Sequence, residues 1–246
     1  MGKSSIYLAV VTALLGFAAG FFLANMFNRS ELDNLKVEAE KYKTAVNDTE
    51  KSKTDMTLTE DEIKEKIAQA DANPDYLAFQ RDLGTALYSY ASMKQEPKLL
   101  QDSSRLLERA VKLSPGDNGL KRTLGNVYFN IGYFEKDKPS IERSRRLYEE
   151  ILKTEPTNAG VLTDLSATYI YEEPADLDKA LSYIKRSLDV DQKDERTLHF
   201  AVQASWRSGK TDDAGKYFEQ LKAAHPGSRS ITELTTLMTQ PTSTPK

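Results

Sequence analysis

The stretch LGNVYFNIGYFEKDKPSIERSRRLYEEILKTEP, Leu124 to Pro156, sets small residues and rings first, then a charged amphipathic run closed by proline. Its markers return at one distance along the chain. Pro74, Pro115 and Pro156 lie 41 residues apart, and Gly84, Gly125 and Ser166 keep that step. So do Leu83, Leu124 and Leu165, and Leu87, Tyr128 and Tyr169. Several residue classes in one register make the middle of the chain an internal repeat. A unit of this size cannot bury its apolar face alone and stacks on its neighbours. The expectation is a solenoid with a long concave surface, and not an enzyme with a closed pocket.

Local chemistry predicts alternating helices. Leu106, Leu107, Ala110, Val111 and Leu113 fall mostly at three- and four-residue spacing, with Arg105, Glu108, Arg109 and Lys112 opposite. Leu147, Tyr148, Ile151 and Leu152 repeat that stripe, and Leu181, Ile184 and Leu188 do so again. Gly84 and Gly125 each cost about 1 kcal/mol inside a helix relative to Ala. A close helix crossing is the compensation. Pro115, Pro156 and Pro226 follow the second helices and cannot continue them.

In the last unit Leu198, Ala201, Ser205, Gly209, Ala214, Phe218, Leu221 and Pro226 appear in order. This resembles the tetratricopeptide (TPR) repeat, a helix–turn–helix of about 34 residues with small residues at the crossing and a proline after the second helix. Four units are expected over 75–228, at 77–117, 118–158, 159–194 and 195–228. The first two exceed the family length by roughly seven residues, at MKQEP (Met93 to Pro97) and EKDKP (Glu135 to Pro139). Longer helices plus a longer turn would keep the apolar faces in phase. Ser103 and Ser144 stand where the later units have Ala180 and Ala214.

Residues 6–27, IYLAVVTALLGFAAGFFLANMF, are uncharged and long enough to span a hydrocarbon core of about 30 Å. A cleaved signal peptide has a shorter apolar run of about 7–15 residues. The expectation is a single transmembrane helix within a signal anchor, 1–28, embedded in the lipid bilayer. Gly16 and Gly20 offer a small-residue step for a homodimer. Residues 29–58 read as a charged stalk. Thr59 with Glu62 predicts an N-cap for a capping helix over 59–74. Ile231, Leu234, Leu237 and Met238 predict a C-terminal capping helix over 229–240, followed by a disordered tail at 241–246. The short N-terminus favours an inner-membrane protein of a bacterial envelope with its repeats in the periplasm.

Chemistry of the catalytic kind is not visible. His199 and His225 are the only histidines and cysteine is absent, so neither a metal site nor a disulfide is expected. Gly2, Lys3 and Ser4 lack the frame of a phosphate loop, and no G-x-S-x-G occurs. No cofactor is expected, and the chain reads as a non-enzyme. Lys and Arg number 34 against 37 Asp and Glu, interleaved, which argues against a nucleic-acid footprint.

In TPR arrays the first helix of each unit lines the inner groove. The resemblance therefore implies partner-binding positions at Arg81, Thr85 and Tyr88, and at Arg122, Asn126, Phe129 and Asn130. It adds Thr163, Ala167 and Ile170, then Arg196, His199, Gln203, Trp206 and Arg207. Tyr88 and Trp206 read equally well as packing residues. One TPR subclass grips a C-terminal carboxylate with basic and amide side chains. Here Asp164 replaces a neutral amide of that clamp and Phe200 replaces a base, so the clamp is not expected. The reading is an adaptor or scaffold that binds another protein or peptide segment. The anchor-plus-repeat layout also resembles bacterial cytochrome c biogenesis proteins, which hold an apoprotein. A self-associating scaffold is the structural alternative.

Overall fold

The computed structural model describes residues 59–94 and 96–242. The anchor, the stalk, the Gly16/Gly20 contact and residues 243–246 of the tail lie outside the described residues. Among the described residues no helix is long and apolar enough to cross a membrane.

All regular structure among the described residues is helical. In chain order it runs α1 (Glu60–Ala72), α2 (Leu77–Lys94), α3 (Pro97–Leu113), α4 (Asn118–Glu135), α5 (Lys138–Thr154), α6 (Ala159–Ile170), α7 (Leu177–Val190), α8 (Glu195–Arg207), α9 (Thr211–Ala224) and α10 (Ser230–Met238). The helices pair as antiparallel hairpins α2/α3, α4/α5, α6/α7 and α8/α9, and each hairpin stacks on the next. The turns between hairpins carry their own start signal. Asp117 and Asn158 accept from the backbone N–H of Leu120 and Val161 at 2.9 and 3.1 Å, and Asp194 accepts from Thr197 at 2.7 Å. Each satisfies a donor that the helix start would otherwise leave bare. At α1, Thr59 and Glu62 cap each other's backbone, with Thr59 N–H donating to Glu62 at 2.7 Å.

The extra length of the first two hairpins lies wholly in the helices. The helices α2 and α4 have 18 residues and α3 and α5 have 17, whereas α6 to α9 have 12 to 14. The expected longer turn is not there. Only Lys136, in the left-handed region at φ 58°, and Asp137 join α4 to α5. The first arm gains five or six residues and the second three, so the hairpin lengthens without a longer connection.

Glycine decides how closely the long hairpins shut. A Cβ on Gly84 would lie 2.8 Å from Leu107 Cγ, and one on Gly125 2.6 Å from Tyr148 Cε1. Further along α4, a Cβ on Gly132 would meet Ile141 at 2.6 Å. The core runs through these crossings as linked apolar clusters, each drawing side chains from adjacent hairpins. At one end Ile63 and Ala70 of α1 cover Leu87 and Leu106; at the other Leu234 of α10 covers Leu198, Val202 and Leu221. Leu113 departs from its expected place on the apolar stripe. It is the last residue of α3 and is exposed, because the helix ends before that position turns inward.

Candidate functional site

Successive first helices touch one another: α2 meets α4, α4 meets α6, and α6 meets α8. No comparable contact joins successive second helices among the described residues. The first helices therefore form the inner layer, and their facing side chains are bridged by rungs that cross it.

The central rung is ionic. Asp164 of α6 is buried and accepts from Arg122 Nε of α4 at 2.7 Å and from Arg196 Nη2 of α8. The two arginine side chains stay 39% and 50% exposed. Gly160 leaves room for the Arg122 guanidinium, since a Cβ there would lie 2.6 Å from Nη2 and push it aside. The structure thus changes the meaning of Asp164. The acid that argued against a carboxylate clamp is neutralised by two arginines, and the rung keeps one net positive charge.

Several implied partner-binding residues already serve the fold. Asn126 Oδ1 accepts from Tyr148 OH at 2.7 Å; burial pushes that phenol's pKa well up and keeps its proton in place. Asn130 donates to Ser92 of α2 at 3.0 Å. Arg81 donates to its neighbour Asp82 at 2.7 Å. Tyr88 is half-buried against the α2/α3/α4 cluster, and burial raises its phenol pKa. Three positions in unit three are corrected. Thr163, Ala167 and Ile170 are buried, because α6 is the most enclosed helix of the stack. Thr163 instead sits in a hydroxyl cluster with Ser187 at 2.9 Å and Thr197 at 2.6 Å.

C-terminal to the ionic rung the surface turns aromatic. Phe129 stacks on Tyr133 with centroids 6.3 Å apart and meets the edge of Tyr171 at 6.0 Å. Tyr133 packs edge-on to Tyr171 at 5.3 Å, and Tyr171 to Phe200 at 6.2 Å. Phe200 then meets His199 at 5.6 Å. Tyr171 OH donates to Gln203 Oε1 at 3.2 Å, and Arg207 donates to the Ile170 carbonyl at 2.9 Å. Of these rings, Phe129 and His199 are implied by the sequence. Tyr133 was legible as the residue one helical turn after Phe129 on the same face. Tyr171 lies just past α6, where helical periodicity carries no information.

Beyond the rings, His199, Gln203, Glu233, Leu234, Leu237 and Gln240 line an open cavity of about 360 Å³ between α8 and α10. Burial lowers the His199 pKa, against the opposing pull of Glu233 and Glu195. The indole of Trp206 is half-buried and its Nε1 is shut away from solvent without a hydrogen-bond partner among the described residues. The structure brings Arg122, Arg196, Phe129, His199, Gln203 and Arg207 onto one continuous strip, while Arg81 stands apart on α2.

Residues 140–238 match the family model described as the coatomer epsilon subunit. No curated protein sequence matches the chain. Solved structures do. A crystal structure of MamA is 18% identical with a TM-score of 0.53, covering 67% of this chain and 87% of its own. MamA of Desulfovibrio magneticus RS-1, from residue 41 to its end, is 15% identical with a TM-score of 0.55, covering 69% of this chain and 87% of its own. At such identities the likeness concerns the fold, which is a TPR-like stack of helical hairpins.

Proposed function

We propose that this chain is a membrane-tethered adaptor whose inner layer holds a segment of another protein. The observation that carries the reading is the strip across α4, α6 and α8. Its two edges are chemically different, and its rings and arginine side chains are partly solvent-facing across three successive helices. Such a surface suits an extended chain, with rings covering apolar side chains and guanidinium groups meeting carboxylates or carbonyls. The match to a model of a coat subunit supports a role within an assembly. Tethering through residues 6–27, with the repeats on the periplasmic side of a bacterial inner membrane, rests on the sequence. Holding an apoprotein during cytochrome c maturation is one special case, and it rests on the resemblance alone.

The test is site-specific photo-crosslinking in cells. A photoreactive phenylalanine at Tyr133, exposed on the inner strip, should trap a discrete protein adduct. The same group at Lys185, exposed on α7, should not. Adducts from Lys185 with none from Tyr133 would remove the inner layer as the binding surface.

A further inference from the structure

The inner strip has two edges of unlike chemistry, and their spacing specifies what lies between them. Arg122, Asp164 and Arg196 form one edge; Phe129, Tyr171 and Phe200, which follow them by seven, seven and four residues, form the other. Along α4 the two edges are seven residues apart, about 10 Å at 1.5 Å per residue. An extended chain crossing α4, α6 and α8 between them directs alternate side chains to opposite edges, because the strand period is two residues.

The charges on the basic edge are held in place. Asp164 accepts one N–H from each arginine, and Arg196 also reaches the Gly160 carbonyl at 3.4 Å. Each guanidinium carries five donors, so most remain for a ligand. Nearby groups of the same helices look elsewhere. Lys121 pairs with Glu150, and Glu195 accepts from Ser228. The edge therefore presents one uncompensated positive charge on two partly exposed arginine side chains. Because both contact the same carboxylate, they are close enough together to face side chains i and i+2 of one extended chain, which are roughly 7 Å apart.

Resting on the reading that the inner layer binds an extended segment, we infer that its occupant is a partner segment in which acidic and apolar residues alternate. Acidic side chains at i and i+2 meet Arg122 and Arg196, and apolar or aromatic side chains at i+1 and i+3 lie on Phe129, Tyr171 and Phe200. A segment with the same composition in blocks satisfies one edge and leaves the other unmatched.

A display library of random twelve-residue peptides, panned on the full chain in detergent, tests this. Two variants are panned alongside: Arg196→Gln, which leaves Arg122 to neutralise Asp164, and Phe200→Leu, which keeps apolar bulk. The expected result is enrichment of alternating acidic–apolar peptides. Binding of an enriched peptide should fall at least tenfold in Arg196→Gln, decline with salt on the unmodified chain, and fall in Phe200→Leu. The salt series on the unmodified chain stands even if a variant misfolds. Enrichment of another pattern that still depends on these variants would overturn the alternation while leaving the inner layer as the binding surface. Peptides indifferent to both variants, or no enrichment, would overturn both.

Discussion

The first two hairpins and the last two are built on one plan and closed in different ways. In the long hairpins a glycine faces a bulky side chain, Gly84 against Leu107 and Gly125 against Tyr148. In the third hairpin the same register position is Ser166, fully buried, whose Oγ donates to the Thr163 carbonyl at 2.7 Å. The second helix there brings Ile184, four residues after Ala180, as Tyr148 comes four after Ser144. Volume taken from one arm is returned on the other. Around Ser166 the seam is polar, with Thr163, Ser187 and Thr197 sharing hydrogen bonds. A repeat fold thus conserves separation between helices while exchanging the residues that set it.

Transplanting one solution into the other hairpin is the most severe test. Gly125→Ser should destabilise the protein by about 2–3 kcal/mol, since overpacking a closed core forces neighbours off their rotamers. The ring cannot swing away freely, because Tyr148 OH is tied to Asn126. In a Tyr148→Ile background, which copies the serine–isoleucine pairing, most of the extra cost of Gly125→Ser should vanish. Thermal unfolding of the two single variants and the double variant measures this coupling. Additive costs would mean that the two hairpins do not share a rule of compensation.

The fold was legible because its evidence is periodic. Gly125 reads as a close approach from sequence alone once Gly84 shares its register. The hydrophobic stripes of the second helices follow from 3.6-residue spacing. What was not legible depends on contacts between units. Nothing local says that Asp164 is neutralised by arginines 42 residues before it and 32 after it. The acid alone argued for repulsion. Tyr171 lies beyond the end of α6, and its rings of contact come from α4 and α8. Thr163 was placed in the groove by analogy of position, but α6 is shorter and more enclosed than α4, so its inner face is covered. The register finds the helices; the burial of each face depends on the lengths of its neighbours.

Asp164 sits where the two halves meet, so its removal asks whether the ionic rung joins them. Asp164→Ala should cost about 1–2 kcal/mol. That is less than for stranding a buried charge, because the arginines left behind are already partly in water. Asp164→Asn should cost less than Asp164→Ala, as an amide still accepts from one guanidinium. Chemical denaturation should show both losses shrinking little with salt, the acid being buried. An unchanged midpoint for Asp164→Ala would mean that the halves are held by apolar stacking alone.

The smallest effect belongs to the far end of the short half, where polarity reaches the cap. His199 faces the α10 residues Glu233, Leu234 and Leu237 across the cavity, and burial holds its pKa below the ordinary 6.5. Glu233 and Glu195 pull the other way and limit the shift. A base with a lowered folded pKa binds fewer protons folded than unfolded just below pH 6.5. The stabilisation due to neutral His199 is therefore complete above that pH and is lost as pH falls through it. Between about pH 7.5 and 5.5, where most carboxylates stay ionised, the melting temperature should fall slightly more for the unmodified chain than for His199→Gln. Amide protection in α10, corrected for the pH dependence of intrinsic exchange, should fall over the same interval, while that in α2 and α4 stays unaffected. Equal pH slopes in the two proteins would place the acid sensitivity elsewhere, and would leave the two halves of the stack differing in packing alone.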